Sequence, residues 1–313
     1  MKNKKLQRIK NNLIYSFTIF LKWLFNVLPR CVAVHEGRMF GYFAYLFSSK
    51  ERATAHKTLK MVYGESLSEQ QRENIIKNLF LNFGKNLVDV FRFLKHYRRQ
   101  IKGLIDVEGL EYFDAAYNRG KGVVAVTGHI GNFELLAVFF AERGYRVAVI
   151  GREMYDRRLD EMLTENRAGM GIVNISTTDS PRRIMKVLRD GYALGVLMDT
   201  DSMRVRSEFV PAFGKLSYTP VGQSILGLKA EAGFIPMACV REGRRYKVII
   251  KPEIRIKPSE DFDKDVYNIT AECTRALEDI IDKYRDQWIW IHNRWLTRPV
   301  DERTEKVDNK DNE

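Results

Sequence analysis

Hydrophobic and polar positions divide the chain into three textures. A mostly apolar run extends from Leu13 to Leu28, interrupted at Lys22. From Leu67 to Leu94, apolar residues recur at Ile75, Ile76, Leu79, Phe80, Phe83, Leu87, Val90, Phe91 and Leu94, close to the 3.6-residue period of an amphipathic helix. Ser66 or Ser68 can cap its start, and its apolar side is expected to pack on the core, with lipid the less favoured alternative. From Gly122 onward, short apolar runs alternate with helical stretches. Gly122–Thr127, Arg146–Ile150, Gly171–Ile175 and Ala193–Met198 read as buried strands. Between them, Asn132–Arg143, Arg157–Arg167 and a segment from an N-cap Ser180 with Pro181 at the first position read as helices. Phe209–Gly214 reads as a loop, and another helix begins near Thr219-Pro220. Phe234–Arg241 and Tyr246–Ile256 read as a hairpin turning at Glu242-Gly243-Arg244, and a final helix starts near Asp263. This alternation predicts an α/β fold, a largely parallel sheet flanked by helices. Residues 1–30 are expected to form a basic N-terminal membrane anchor, and residues 31–300 the main domain with an N-terminal helical part. Residues 301–313 read as a disordered polar tail.

Charge changes the picture. The formal balance is +12, and the last 13 residues hold six acids and three bases, so residues 1–300 carry +15. A surplus of that size points to an anionic partner. Zinc-finger spacing, an RNP-like aromatic box and a recognition-helix pattern are all missing, which sets nucleic acid behind lipid. An ordinary hydrophobic fraction of 45% excludes a polytopic membrane protein and a disordered chain. Lys2, Lys4, Lys5, Arg8 and Lys10 precede the first apolar run, and Pro29-Arg30-Cys31 offers no small-residue cleavage site. The run is shorter than the roughly 20 apolar residues of a comfortable span. It therefore reads as an uncleaved anchor, either a short span with its basic end cytoplasmic or a helix lying in the interface. Tyr15 and Trp23 would then sit at headgroup level; an ordinary buried helix is the plainer alternative. Three well-separated cysteines (Cys31, Cys239, Cys273) make neither a disulfide framework nor a metal knuckle. No metal site and no cofactor are indicated.

In open α/β sheets, ligands bind beyond the carboxyl ends of the strands. The first strong strand runs directly into Thr127-Gly128-His129-Ile130-Gly131-Asn132-Phe133-Glu134. His129 thus stands where strand becomes loop, and Gly128 and Gly131 allow a substrate close to the backbone. Asn132 can cap the following helix, with Glu134 in its first turn. The Glu134 carboxylate can fold back on His129, fix its tautomer and stabilise the imidazolium formed when the ring takes a proton. A loop histidine followed by an unrelated first-turn glutamate fits the same spacing.

A histidine, four residues and an acid at such a turn resembles the motif of the glycerolipid acyltransferase superfamily. Features downstream are similar to one branch, the late (lauroyl/myristoyl) acyltransferases of lipid A biosynthesis. They are Arg167 within Leu159–Gly171, Met198-Asp199-Thr200-Asp201, and Phe209-Val210-Pro211-Ala212-Phe213-Gly214, close to the family's FVPFFG. Thr219-Pro220-Val221-Gly222 and the closing Trp288-Ile289-Trp290-Ile291-His292-Asn293-Arg294-Trp295 with Arg298-Pro299 complete the set. The family often has a second basic residue where Asn293 stands. The resemblance covers nearly the whole chain.

It implies an O-acyltransferase at the cytoplasmic (inner) membrane, its catalytic domain facing the cytoplasm and in contact with membrane phospholipid. Acyl carrier protein would be the donor and an anionic glycolipid, a lipid A precursor, the acceptor. His129 would act as base with Glu134 as its orienting partner, and without a nucleophilic serine or cysteine the acceptor hydroxyl attacks the thioester directly. Candidate oxyanion donors are Arg152 by position, Arg167 by resemblance, and backbone N–H groups around Gly131. Either arginine could equally hold a phosphate. Asp199 can hold an arginine or the acceptor sugar, or serve as a turn residue; Gly131 and Asn132 are expected beside the substrate. His292, between tryptophans, reads as a packed histidine or interface belt residue, with catalysis the less favoured alternative. The other readings are acylation of a phosphatidylinositol mannoside from acyl-coenzyme A, a hydrolase in which His129 activates water, and a glycolipid-binding membrane protein without catalysis.

Overall fold

The computed structural model describes residues 2–299; the tail expected over 301–313 lies outside the described residues. Four helices come first: α1 (Lys2–Val27), α2 (Arg30–Phe47), α3 (Ser49–Tyr63) and α4 (Glu69–His96). Ser68 is the residue that caps α4, in a reciprocal box with Gln71. The α2 and α4 backbones touch: a Cβ on Gly84 would lie 2.1 Å from the Gly37 carbonyl oxygen, and one on Gly41 would lie 2.3 Å from that of Phe80. Ile76, Leu79 and Phe80 of α4 enter the main core, as their period requires.

The apolar run expected as an anchor is helical, but among the described residues no helix is long and apolar enough to cross a membrane. The run divides by face. Leu21 and Phe25 are buried with Ala33 and Val88, whereas Leu13, Phe17, Phe20 and Trp23 face outward. The second half of α1 is therefore part of the folded body.

A short strand, β1 (Ile105–Glu108), and α5 (Leu110–Tyr117) lead into the alternating region. There β2 (Val123–Thr127), α6 (Phe133–Ala141), β3 (Val147–Gly151), α7 (Arg157–Gly169), β4 (Ile172–Ser176), α8 (Pro181–Arg189) and β5 (Ala193–Leu197) follow one another as the pattern predicts. Ser180 precedes α8, but its side chain makes no capping bond. The segment read as a loop at Phe209–Gly214 is instead the end of one strand and the turn of a hairpin, β6 (Ser207–Ala212) and β7 (Lys215–Pro220). Its two central residues, Phe213 and Gly214, both have positive φ, the primed-turn geometry that suits strand twist. After α9 (Gly222–Lys229) come the antiparallel pair β8 (Gly233–Glu242) and β9 (Arg245–Ile250), then α10 (Phe262–Lys283).

Seven strands form one sheet in the order β1-β9-β8-β2-β5-β3-β4. Its pairs are parallel apart from β8 with β9. Strand β2 buries all five residues, as a strand covered on both faces must. The order places β5 between β2 and β3, so the chain crosses over a gap that it fills later. At such a switch point a crevice opens beyond the strand ends.

Candidate active site

Strands β2 and β5 are parallel neighbours in register, Thr127 beside Leu197. Two residues past each end stand His129 and Asp199, so sheet order brings together groups 70 positions apart. The His129 Nδ1 lies 2.8 Å from Asp199 Oδ1, and the His129 backbone N–H donates to Oδ2 at 2.6 Å. Trp288 Nε1–H donates to the same Oδ2 at 2.7 Å. A carboxylate that accepts this many bonds stays ionised: burial pushes the Asp199 pKa up, but the His129 charge and the hydrogen bonds hold it below its ordinary value. For His129 burial pulls the pKa down, the charge and hydrogen bond of Asp199 pull it up, and the balance lies above the ordinary imidazole value. With Nδ1–H directed at Asp199, Nε2 carries the lone pair. Gly128 makes this approach possible, since a Cβ there would lie 2.7 Å from Asp199 Oδ2.

Glu134 takes a different partner from the one expected. Instead of folding back on His129, it accepts two hydrogen bonds from Arg167, from Nε at 3.0 Å and Nη2 at 2.5 Å. Arg167 Nη1 donates to Asn174 Oδ1 of β4 at 2.5 Å. The guanidinium is thus clamped between α6 and β4 with both partners planar, the arrangement a fork of donors favours. Glu134 and Arg167 line the same narrow cavity of about 50 Å³. The remaining lining is mostly apolar, including Phe133, Leu136, Val149, Gly195 and Leu197. The Thr127 hydroxyl, which also lines it, is buried without a hydrogen-bond partner among the described residues.

Gly131 and Asn132, expected beside the substrate, are committed to the scaffold. The Gly131 N–H donates to the Gln287 carbonyl at 3.0 Å and the Asn132 N–H to that of Cys239 at 2.7 Å. Neither amide is therefore left for an oxyanion. Gly131 has φ +59, and a Cβ on it would lie 2.1 Å from the Cys239 carbonyl oxygen, so only glycine fits this turn. Asn132 caps α6 by accepting from the Leu135 N–H at 3.1 Å, while its amide donates to Tyr246 Oη at 3.2 Å. Arg152, just beyond β3, does not join Arg167. It lines a separate open cleft of about 580 Å³ with Asp201, Arg204, Thr297 and Arg298.

Three further side chains contribute, two of them, Trp288 and Asn86, with no role assigned from the sequence. Trp288 holds Asp199, and Asn86 of α4 donates to the Gly131 carbonyl at 3.0 Å. His292 stacks on His129, ring centroids 5.8 Å apart and planes 15° from parallel. Burial and the His129 charge lower the His292 pKa against the pull of Asp199, so His292 is the weaker base of the two rings. The tryptophan-rich spacing of the closing segment was the only signal for Trp288, and nothing local marked Asn86. Cys239 of β8, whose carbonyl meets this loop, is buried, and burial drives its thiol pKa far above the ordinary value. Among the described residues, no cluster of His, Cys, Asp and Glu could hold a metal ion.

Comparison with known proteins adds a lineage to this geometry. The sequence model of the bacterial lipid A biosynthesis acyltransferases matches residues 1–297. The chain is 27% identical over 301 residues to the lipid A biosynthesis palmitoleoyltransferase of Escherichia coli (strain K12), covering 91% of this chain and 92% of that one. It is 24% identical over 280 residues to the lipid A biosynthesis lauroyltransferase of the same strain, covering 88% and 89%. A phosphatidylinositol mannoside acyltransferase of Mycobacterium tuberculosis (strain CDC 1551 / Oshkosh) is 23% identical over 221 residues, covering 69% of this chain and 68% of that one.

Proposed function

Since the chain belongs to the bacterial lipid A biosynthesis acyltransferases, we propose that it moves a fatty acyl group from an acyl thioester to a hydroxyl of a phosphorylated lipid A precursor. Acyl carrier protein is the proposed donor. The observation that carries this reading is the His129–Asp199 pair, with Nδ1 occupied and Nε2 free to take a proton, beside an apolar cavity.

The chemistry follows from the groups present. His129 Nε2 takes the proton of the acceptor hydroxyl as its oxygen attacks the thioester carbonyl carbon. Asp199, fixed by Trp288, holds the ring and stabilises the imidazolium. The tetrahedral oxyanion collapses, the C–S bond breaks, and the imidazolium returns its proton to the leaving thiolate. Arg167, held by Glu134 in the cavity lining, supplies positive charge to the oxyanion. The apolar cavity, at about 50 Å³, has room for the start of the acyl chain next to the thioester. The basic cleft of Arg152, Arg204 and Arg298 takes the phosphate of the acceptor. Outward-facing Leu13, Phe17, Phe20 and Trp23 on α1, with Arg8 and Lys10 near its start, suit a helix lying in the membrane interface. The donor is a cytoplasmic carrier, so the active site faces the cytoplasm.

The test is direct. Purified protein is incubated with acyl-acyl carrier protein or acyl-coenzyme A and with a lipid A precursor or a phosphatidylinositol mannoside, and the lipids are separated by thin-layer chromatography. A less polar, faster-migrating, more acylated lipid A species with the carrier donor supports the reading. Acylation of the mannoside from acyl-coenzyme A alone would shift it to the second reading, for which the likeness to the mycobacterial enzyme gives the acceptor class. Failure to acylate either acceptor with either donor refutes both.

A further inference from the structure

A second basic cleft lies away from the His129 ring, where α2 and α4 meet the β8–β9 turn. It has a volume of about 480 Å³, and His35, Arg38, Lys85, Arg241 and Arg244 line it, against one acid, Asp286. Its floor is an uneven ion cluster. Asp89, wholly buried, accepts from Arg30 Nη2 at 2.8 Å and from Arg241 Nη2 at 2.9 Å, so two guanidinium groups share one carboxylate. Arg241 is also almost completely buried, and its Nη1 has no hydrogen-bond partner among the described residues. Arg38, Lys85 and Arg244 at the walls enter no ion pair among the described residues. A buried cationic donor left unpaired costs free energy unless something anionic completes it.

We propose that this cleft binds a phosphate group, with Arg241 Nη1 below it and Arg38, Lys85 and Arg244 around it. The Lys85 ammonium supports the reading: burial, together with the neighbouring Arg241 and Arg38, pushes its pKa down to about 8 despite Asp286. Cations crowded to that degree gain from a bound anion. A planar fork and flexible ammonium groups suit a tetrahedral oxyanion. The surroundings favour a phosphate on a lipid. Val32, Met39 and Phe43 form an exposed apolar stripe along α2, interrupted by the half-buried Glu36, with His35 and Arg38 on its flank. A headgroup in the cleft would leave its tails against that stripe.

The cleft carries its own reporter. Cys31 lines it and is exposed, whereas Cys239 and Cys273 are buried, so alkylation by N-ethylmaleimide reads this site in the full chain. Monomeric dihexanoyl-phosphatidylglycerol is expected to slow the reaction about fivefold at about four times its Kd, as one occupied site requires. Inorganic phosphate measures what the anion contributes without tails: equal protection identifies free phosphate as sufficient, and weak protection assigns the site to a lipid headgroup. Octyl glucoside, a tail without phosphate, should give none. Lys85→Gln combined with Arg244→Gln should remove protection at an unchanged thermal midpoint. The inference is overturned if neither phosphate ligand slows alkylation, if octyl glucoside protects as well as the anionic lipid, or if only an acidic carrier protein protects.

Discussion

The Nδ1 of His129 lies 2.8 Å from Oδ1 of Asp199, and the pair exists because β2 and β5 are neighbours in the sheet. That contact makes Asp199, rather than Glu134, the group that sets the tautomer. Asp199→Asn should therefore cut the rate by about a hundredfold, the scale on which base catalysis contributes, as should His129→Ala. Near-normal turnover in a folded His129→Ala protein would remove the mechanism.

The pH dependence gives a sharper reading of the same pair. The base must be neutral, and Asp199 holds the His129 pKa above the ordinary imidazole value. Activity should then fall on the acid side with a midpoint above that value. Replacing Asp199 with Asn removes the charge that raises it, so the acid limb of kcat/KM moves to lower pH. A limb that stays in place in Asp199→Asn would assign the titration to another group.

The alternating region was legible because its strands are buried on both faces and read as unbroken apolar runs, Val123–Thr127 above all. Asn132 and Ser68 announced their helices by side-chain chemistry that the structure contains. What escaped was pairing. Local spacing offers Glu134 to His129, but only sheet order brings Asp199 across 70 residues, and only then is Glu134 free for Arg167. The β6–β7 hairpin read as a loop because its turn places Phe213, a residue unsuited to positive φ, beside Gly214. On α3 polar residues outnumber apolar ones, and on α2 the exposed Val32, Met39 and Phe43 compete with a buried side of small residues, Ala33, Gly37 and Gly41, so neither helix shows one apolar face to read.

The contact of α2 with α4 has no room for a side chain. Gly84→Ala would press a methyl to within 2.1 Å of the Gly37 carbonyl oxygen, and the helices would have to part. Overpacking of this kind costs about 1–3 kcal/mol. Gly103→Ala meets nothing within 4 Å and serves as control, with an effect inside about 0.5 kcal/mol. Urea unfolding of both variants checks the difference, and equal midpoints would mean that the helix crossing relaxes freely.

Membrane attachment should divide within α1. Leu21 and Phe25 hold its second half to the body, while Leu13, Phe17 and Phe20 face outward. Deleting residues 2–19 is expected to move the protein from membrane to supernatant with its thermal midpoint nearly unchanged. Sedimentation after a high-salt wash measures this. A truncated chain that stays with the membrane would transfer the attachment to the exposed stripe on α2.

The two arginines once interchangeable as oxyanion donors now stand in different places, which lets their roles be separated. Arg167 sits with Glu134 at the apolar cavity, whereas Arg152 lines the open cleft with Arg204 and Arg298. A donor to the oxyanion acts mainly in the transition state, so its loss lowers kcat with little effect on acceptor affinity. A phosphate clamp binds ground state and transition state alike, so its loss raises the acceptor KM and spares kcat. Arg167→Ala should be the first kind of lesion, with kcat down about a hundredfold, and Arg152→Ala the second. Lysine separates them again: a point charge still attracts phosphate at Arg152, but it cannot reproduce the paired bonds from Nε and Nη2 to Glu134. The measurement is kcat and acceptor KM for all four variants at saturating donor. If Arg167→Ala keeps its turnover and only loses affinity, the oxyanion needs another donor, and the unpaired Thr127 hydroxyl in the same cavity becomes the next to test.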